Sequence, residues 1–223
     1  MEKLQTKDGS FTLLQPLLNE TYHSRNGAIN ESAHVFINAG LAFRLSHKSH
    51  LHVLEVGFGT GLNALMTLQY IWQRHYIVHY TGLEPFGLEY DTVEKLQLTE
   101  ALYAEHLRSH FERMHHCEWE QTEVFSPNFS FLKSKQILQD FQSTPKYDLV
   151  YFDAFAPNVQ PELWTEEALA HLYSLMSAEG VLVTYCAKGQ FKRALKAVGF
   201  EIEALPGPPG KREMTRAIKK ASH

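Results

Sequence analysis

The chain is poor in the features that mark membrane or secreted proteins. Only two cysteines, Cys117 and Cys186, occur in 223 residues, and their separation fits neither a disulfide framework nor a metal-binding pair. No apolar run approaches the roughly 20 residues that span a bilayer. The polar start MEKLQTKDGS lacks the apolar region of a signal peptide. A cytoplasmic protein with no membrane partner is expected. The 13 histidines are scattered along the sequence, without the spacings or flanking acids of a ligand set, so no metal is expected. Internal repeats and low-complexity linkers are missing too.

Positive charge is also scarce, with a net charge of −4. Its distribution is uneven, however. Nine Lys or Arg follow Cys186 against three Glu, whereas the stretch 84–123 leans acidic. A protein that is acidic overall can still present a basic face to phosphates. At 44% hydrophobic residues, the length suits one sizeable core with a small added lobe.

The informative segment is Leu51 to Asn63, LHVLEVGFGTGLN. An apolar run stops at Gly57, Gly59 and Gly61, and a helical pattern of Leu62, Leu65 and Met66 follows. Strand, glycine turn and helix let a backbone approach a nucleotide-like ligand. Tyr76–Leu83 reads as a second strand ending at Glu84, an acid placed to accept hydrogen bonds from ribose hydroxyls. A long polar helical region is expected from about Leu88 to His110, and a hairpin around Ser126-Pro127-Asn128. Tyr147–Phe152 is a third strand, closed by Asp153 and the stiff run Ala154-Phe155-Ala156-Pro157. Thr165 caps a helix that Gly180 ends; Val181–Tyr185 is a strand, and a further helix stops at Gly199.

The chain then closes on a hairpin, Phe200–Leu205 and Arg212–Ile218, around Pro206-Gly207-Pro208-Pro209-Gly210. That ending is foreign to dinucleotide dehydrogenases. It matches α/β, Rossmann-like class I methyltransferases, whose mostly parallel seven-stranded sheet has an antiparallel last strand. Residues 1–50, with loop signals at Ser24–Gly27 and Asn38–Gly40, read as an N-terminal lobe on a 51–223 core with an insertion around 111–135. An aspartate such as Asp153 can hold an amine and balance charge as nitrogen is alkylated.

The segments TYHSRNGAINESAHVFI, EVGFGTGLN, YFDAFAPNVQPELW, VTYCAKGQFKRALKAVGF and PGPPGKREM resemble, in that order, the methyltransferase domain of the MnmC-type bacterial tRNA wobble-uridine enzymes. The resemblance implies S-adenosylmethionine as cofactor and the anticodon loop of tRNA as partner. It implies methylation of 5-aminomethyl-(2-thio)uridine at position 34, without metal. By the same resemblance Gly57, Gly59 and Gly61 line the cofactor with Glu55 and Asn63 flanking. Glu84 holds the ribose, and Asp153 faces methyl donor and amine. Lys211 and Arg212 suit RNA contact, and Tyr22, Asn26 and Glu31 form an N-terminal wall. Recognition of a splayed-out base calls for aromatic and basic residues around the pocket; Phe155, Trp164 and Tyr185 are candidates, with a place in the core the equal alternative for each.

Two departures from that family stand out. Many members carry a fused flavin-dependent oxidase domain, whereas the 223 residues here are used up by the methyltransferase, so no oxidase activity is expected. The acid that usually meets the adenine amino group has no counterpart in Phe131-Leu132-Lys133-Ser134-Lys135. Ser134 and backbone groups take its place, unless the register differs. A small-molecule amine methyltransferase or an aminopropyltransferase would share the sheet and loop. A non-catalytic tRNA-binding protein with this fold is the alternative from another class.

Overall fold

The computed structural model describes residues 1–221. Strands β1 (Glu2–Gln5), β2 (Phe11–Gln15) and β3 (Glu20–Thr21) form a small antiparallel sheet. The main sheet contains β4 (His50–Val56), β5 (Ile77–Leu83), β6 (Thr122–Ser126), β7 (Phe129–Ser134), β8 (Tyr147–Phe152), β9 (Met176–Thr184), β10 (Phe200–Pro206) and β11 (Glu213–Lys219). Their order is β10-β11-β9-β8-β4-β5-β7-β6. From β7 to β9 all pairs are parallel. β11 runs antiparallel to both of its neighbours. Seven strands therefore follow the expected plan, and β6 adds an eighth at the edge.

Alternation along the strands divides the core in two. Val53, Tyr151 and Val183 face one layer, where Phe36 and Leu41 meet Leu65 and Leu68. Leu54, Val150 and Leu182 face the other, against Leu169, Leu172 and Leu195. β8 is buried at every residue, as a central strand covered on both faces must be.

Several local expectations are corrected. Asn38-Ala39-Gly40 is no loop; it lies inside a continuous helical segment built from Ala28–Ser32, a π-helical stretch Ala33–Ala42 and Phe43–Leu45. Gly40 is there for close approach, since a Cβ would stand 2.8 Å from Val183 Cγ2. That segment covers one face of the main sheet, so residues 28–45 belong to the common core. The region 88–110 is broken into short helices, Tyr90–Glu94 and Leu98–Ala101, before Arg108–His116. Left-handed residues Gln97 and Tyr103, φ 52° each, interrupt it. Within 111–135, β7 pairs in parallel with β5, and β6 is the added strand at its edge. The helix begun at Thr165, whose Oγ1 accepts from Ala168 N at 3.2 Å, ends at Leu175. Gly180 lies within β9.

Candidate active site

The carboxyl ends of β4, β5 and β8 open into a cavity of about 910 Å³, where ligands of open parallel sheets collect. The glycine loop forms its floor. Gly57, Gly59 and Gly61 have φ of 91°, 51° and 75°, a region costly for any residue with a Cβ. Gly57 N and Phe58 N both donate to Leu83 O at 3.1 Å, fastening the loop to the end of β5. A Cβ on Gly57 would sit 2.7 Å from the carbonyl oxygen of Asp153. Glycine there is what lets the loops after β4 and β8 touch.

Glu84, just past β5, is held by the backbone. Gly59 N donates to its Oε2 at 2.8 Å and Phe86 N to its Oε1 at 3.0 Å. Burial raises its carboxyl above the ordinary value, and those two N–H groups oppose the shift. A carboxylate has about four acceptor positions, so capacity is left for two vicinal hydroxyls.

Asp153 is organised by a buried chain. Asn63 Nδ2 donates to Asp153 Oδ2 at 2.8 Å and to Glu55 Oε1 at 2.9 Å. Tyr80 OH donates to Glu55 Oε2 at 2.7 Å. Burial first, then the nearby Asp153 charge, pushes the Glu55 carboxyl well above the usual range, against the hydrogen bonds from Tyr80 and Asn63. Asp153 is pushed up to about 7 by burial and by Glu31, against the Asn63 hydrogen bond and the Lys211 ammonium. Asn63 Oδ1 is buried with no hydrogen-bond partner. An unpaired buried acceptor beside a carboxylate suits a ligand bearing N–H donors.

The opposite wall comes from the N-terminal segment and the closing hairpin. Tyr22 meets Phe155 edge-on at 5.2 Å. Lys211 Nζ pairs with Glu31 Oε2 at 2.6 Å and lies 3.9 Å above the Tyr185 ring. Tyr185 OH donates to Ala154 O at 2.8 Å.

The sequence candidates thus fall into two groups. Gly57, Gly59, Asn63, Glu84, Asp153, Tyr22, Glu31, Phe155 and Lys211 line the cavity. Glu55 lies behind it, wholly buried. Gly61 faces Phe58, Phe111 and His115, and Asn26 packs on Gly210 in the proline-rich turn. Arg212 is exposed outside the cavity. Trp164 is a core residue against Phe152 and Phe191 that donates to Phe155 O at 3.0 Å. Ser134 is fully buried, its Oγ donating to Glu120 Oε1 at 3.0 Å. At that strand end Gln136 lines the cavity instead.

Sequence reasoning missed His23. Its Nε2 meets Thr60 Oγ1 at 2.9 Å and its Nδ1 meets Thr12 Oγ1 at 3.2 Å, tying the small sheet to the glycine loop. Burial lowers it to about 4, with Asp8 opposing, so the ring is neutral. Nothing along the sequence marks a contact that spans 37 positions. The histidines, moreover, are not scattered in space: His50, His52 and His79 gather on neighbouring strands.

The strand order with its reversed β11, the glycine loop after β4 and the acid after β5 define a Rossmann-like methyltransferase. The chain belongs to the S-adenosyl-L-methionine-dependent methyltransferase family, whose match covers residues 97–220. It is 31% identical, over 95% of its length, to the tRNA 5-methylaminomethyl-2-thiouridine biosynthesis bifunctional protein MnmC of Aromatoleum aromaticum. With the same-named protein of Acinetobacter baylyi it shares 29% over 96%. It covers 34% and 37% of those proteins, so it spans about a third of the curated relatives it matches. Among solved structures, MNMC2 from Aquifex aeolicus superposes with a TM-score of 0.78 at 25% identity, covering 99% of this chain and 70% of that one. SAM-bound CalS10, an amino pentose methyltransferase from Micromonospora echinaspora, shares the fold at a TM-score of 0.51 and 14% identity, over 88% of this chain and 93% of that one.

The residues present fit that cofactor, given the glycine floor, the spare acceptors of Glu84 and the unpaired Asn63 Oδ1. When bound, S-adenosylmethionine supplies an electrophilic sulfonium methyl group. An aspartate poised at about 7 accepts a proton near neutral pH and can release it again.

Proposed function

We propose that this protein methylates the primary amine of 5-aminomethyl-(2-thio)uridine at the wobble position of tRNA, in the cytoplasm. The observation that carries the reading is likeness to MnmC proteins over nearly the whole chain, joined to an acid-lined cavity suited to an amine. Asp153 accepts a hydrogen bond from the amine N–H, orients the lone pair and balances the charge on the alkylated nitrogen. Glu31 and Lys211 set the potential around Asp153, and Tyr22, Phe155 and Tyr185 offer ring faces and edges to a splayed-out base. Glu84 holds the cofactor ribose, and Gly57, Gly59 and Asn63 line its seat. Gln136 is the side chain placed for the adenine edge. Arg212, exposed on the hairpin beside Lys211, meets RNA phosphate.

The acceptor tests the reading. Label from methyl-labelled S-adenosylmethionine is expected to enter tRNA bearing aminomethyluridine, and to enter neither tRNA with unmodified uridine at that position nor free polyamines. Equal labelling of polyamines would identify a small-molecule amine methyltransferase instead.

A further inference from the structure

At the amino ends of β4 and β5, opposite the cofactor cavity, three imidazoles share one sheet face. His50 and His52 are two residues apart on β4 and therefore point the same way. His79 on β5 is the direct partner of His52 in the parallel register. The rings lie close, with centroids 4.9 Å apart for His50–His79 and 4.8 Å for His52–His79. Each offers a ring nitrogen, and the three nitrogens lie within 4.8 Å of one another. His50 is exposed and the other two are half-buried, so the group opens to solvent.

We propose that His50, His52 and His79 form a binding site for a divalent transition ion of the zinc class. Three imidazoles bound to zinc at about 2.1 Å in a tetrahedron have nitrogens about 3.4 Å apart. Small side-chain rotations bring these three to that spacing. Imidazole sets select zinc, copper or nickel over magnesium or calcium. The surroundings supply the outer support such ligands need. His79 Nδ1 is 2.6 Å from Ser130 Oγ on β7, which fixes that ring and leaves Nε2 free for the ion. Asp148, whose carboxylate accepts from His52 N at 3.0 Å, is already occupied by Lys48 Nζ at 2.8 Å and Ser177 Oγ at 3.0 Å. The fourth position therefore falls to water.

The site lies about seven strand residues, roughly 20 Å, from the glycine loop. Its role is to clamp β4 to β5 away from the reacting atoms. Tag-free full-length protein titrated calorimetrically with zinc chloride is expected to bind one equivalent and to gain thermal stability. His50→Ala and His79→Gln are expected to weaken that binding about 10- to 100-fold or more, whereas His75→Ala, at an exposed histidine outside the cluster, leaves it unchanged. His50 is exposed, so its variant folds and tests the site even if His79→Gln does not. Absence of saturable binding to the parent protein, or equal affinity in His50→Ala, would overturn the proposal.

Discussion

Replacing Asn63 by leucine removes a side-chain donor that touches the Asp153 carboxylate, at 2.8 Å, while keeping much of the side chain's shape. Asp153 stands at about 7 with that hydrogen bond in place. A hydrogen bond to a charged group contributes about 1.5–3 kcal/mol. One pKa unit corresponds to about 1.4 kcal/mol, so the loss raises Asp153 by about 1–2 units. Only the carboxylate form accepts the amine proton, so activity rises as pH increases through the Asp153 pKa. In Asn63→Leu the acid limb of the kcat/KM profile therefore moves from about 7 to about 8–9. At pH 7, where the parent is half ionised, the rate falls about 5- to 50-fold, and it recovers in alkaline buffer, which separates the effect from misfolding. The assay is initial-rate methyl transfer to aminomethyl-bearing tRNA across the neutral to alkaline range. Identical acid limbs in parent and variant would refute the assignment, because a limb set by the substrate amine alone does not respond to Asn63.

The other perturbations have equally definite signs. Asp153 is protonated more readily in the folded chain, at about 7, than at the ordinary aspartate value of 3.8. Stability therefore falls as pH rises from about 4 through 7. Asp153→Asn should melt a few degrees higher than the parent at pH 8, match it near pH 3 and lose transfer; a lower melting temperature at pH 8 would contradict the burial argument. Gly57→Ala forces a Cβ to within 2.7 Å of the Asp153 carbonyl at φ 91°, a strain of about 1–3 kcal/mol. Calorimetry should then show weakened S-adenosylmethionine binding, and unaltered affinity would remove the glycine loop from the cofactor seat. Arg212→Ala should lower tRNA affinity and reduce the salt dependence by about one phosphate contact. An unchanged salt slope places Arg212 off the RNA surface.

The glycine loop and the two acids that line the cavity could be read along the sequence because each is local. A strand, a glycine turn and a helix occupy 51–71, and Glu84 and Asp153 each close an apolar strand. What escaped needs the third dimension. The helix through Gly40 packs against the sheet and wears a loop's sequence, since its glycine answers to Val183, Leu149 and Tyr151. Arg212 and Lys211 are adjacent in sequence, yet only Lys211 lines the cavity, because the chain bends at Arg212 before β11 begins. His23 and Thr60, like His50, His52 and His79, become partners through packing and strand register, which spacing rules applied along one chain cannot capture.

The central claim is that the Asp153 pocket methylates an aminomethyl group at the wobble base. Its most direct measurement is the mass of the wobble nucleoside after aminomethyl-bearing tRNA is incubated with this protein and S-adenosylmethionine. A gain of one methyl group on that nucleoside, absent with Asp153→Asn, is the result predicted here. An unchanged nucleoside mass from protein shown to bind the cofactor would contradict it.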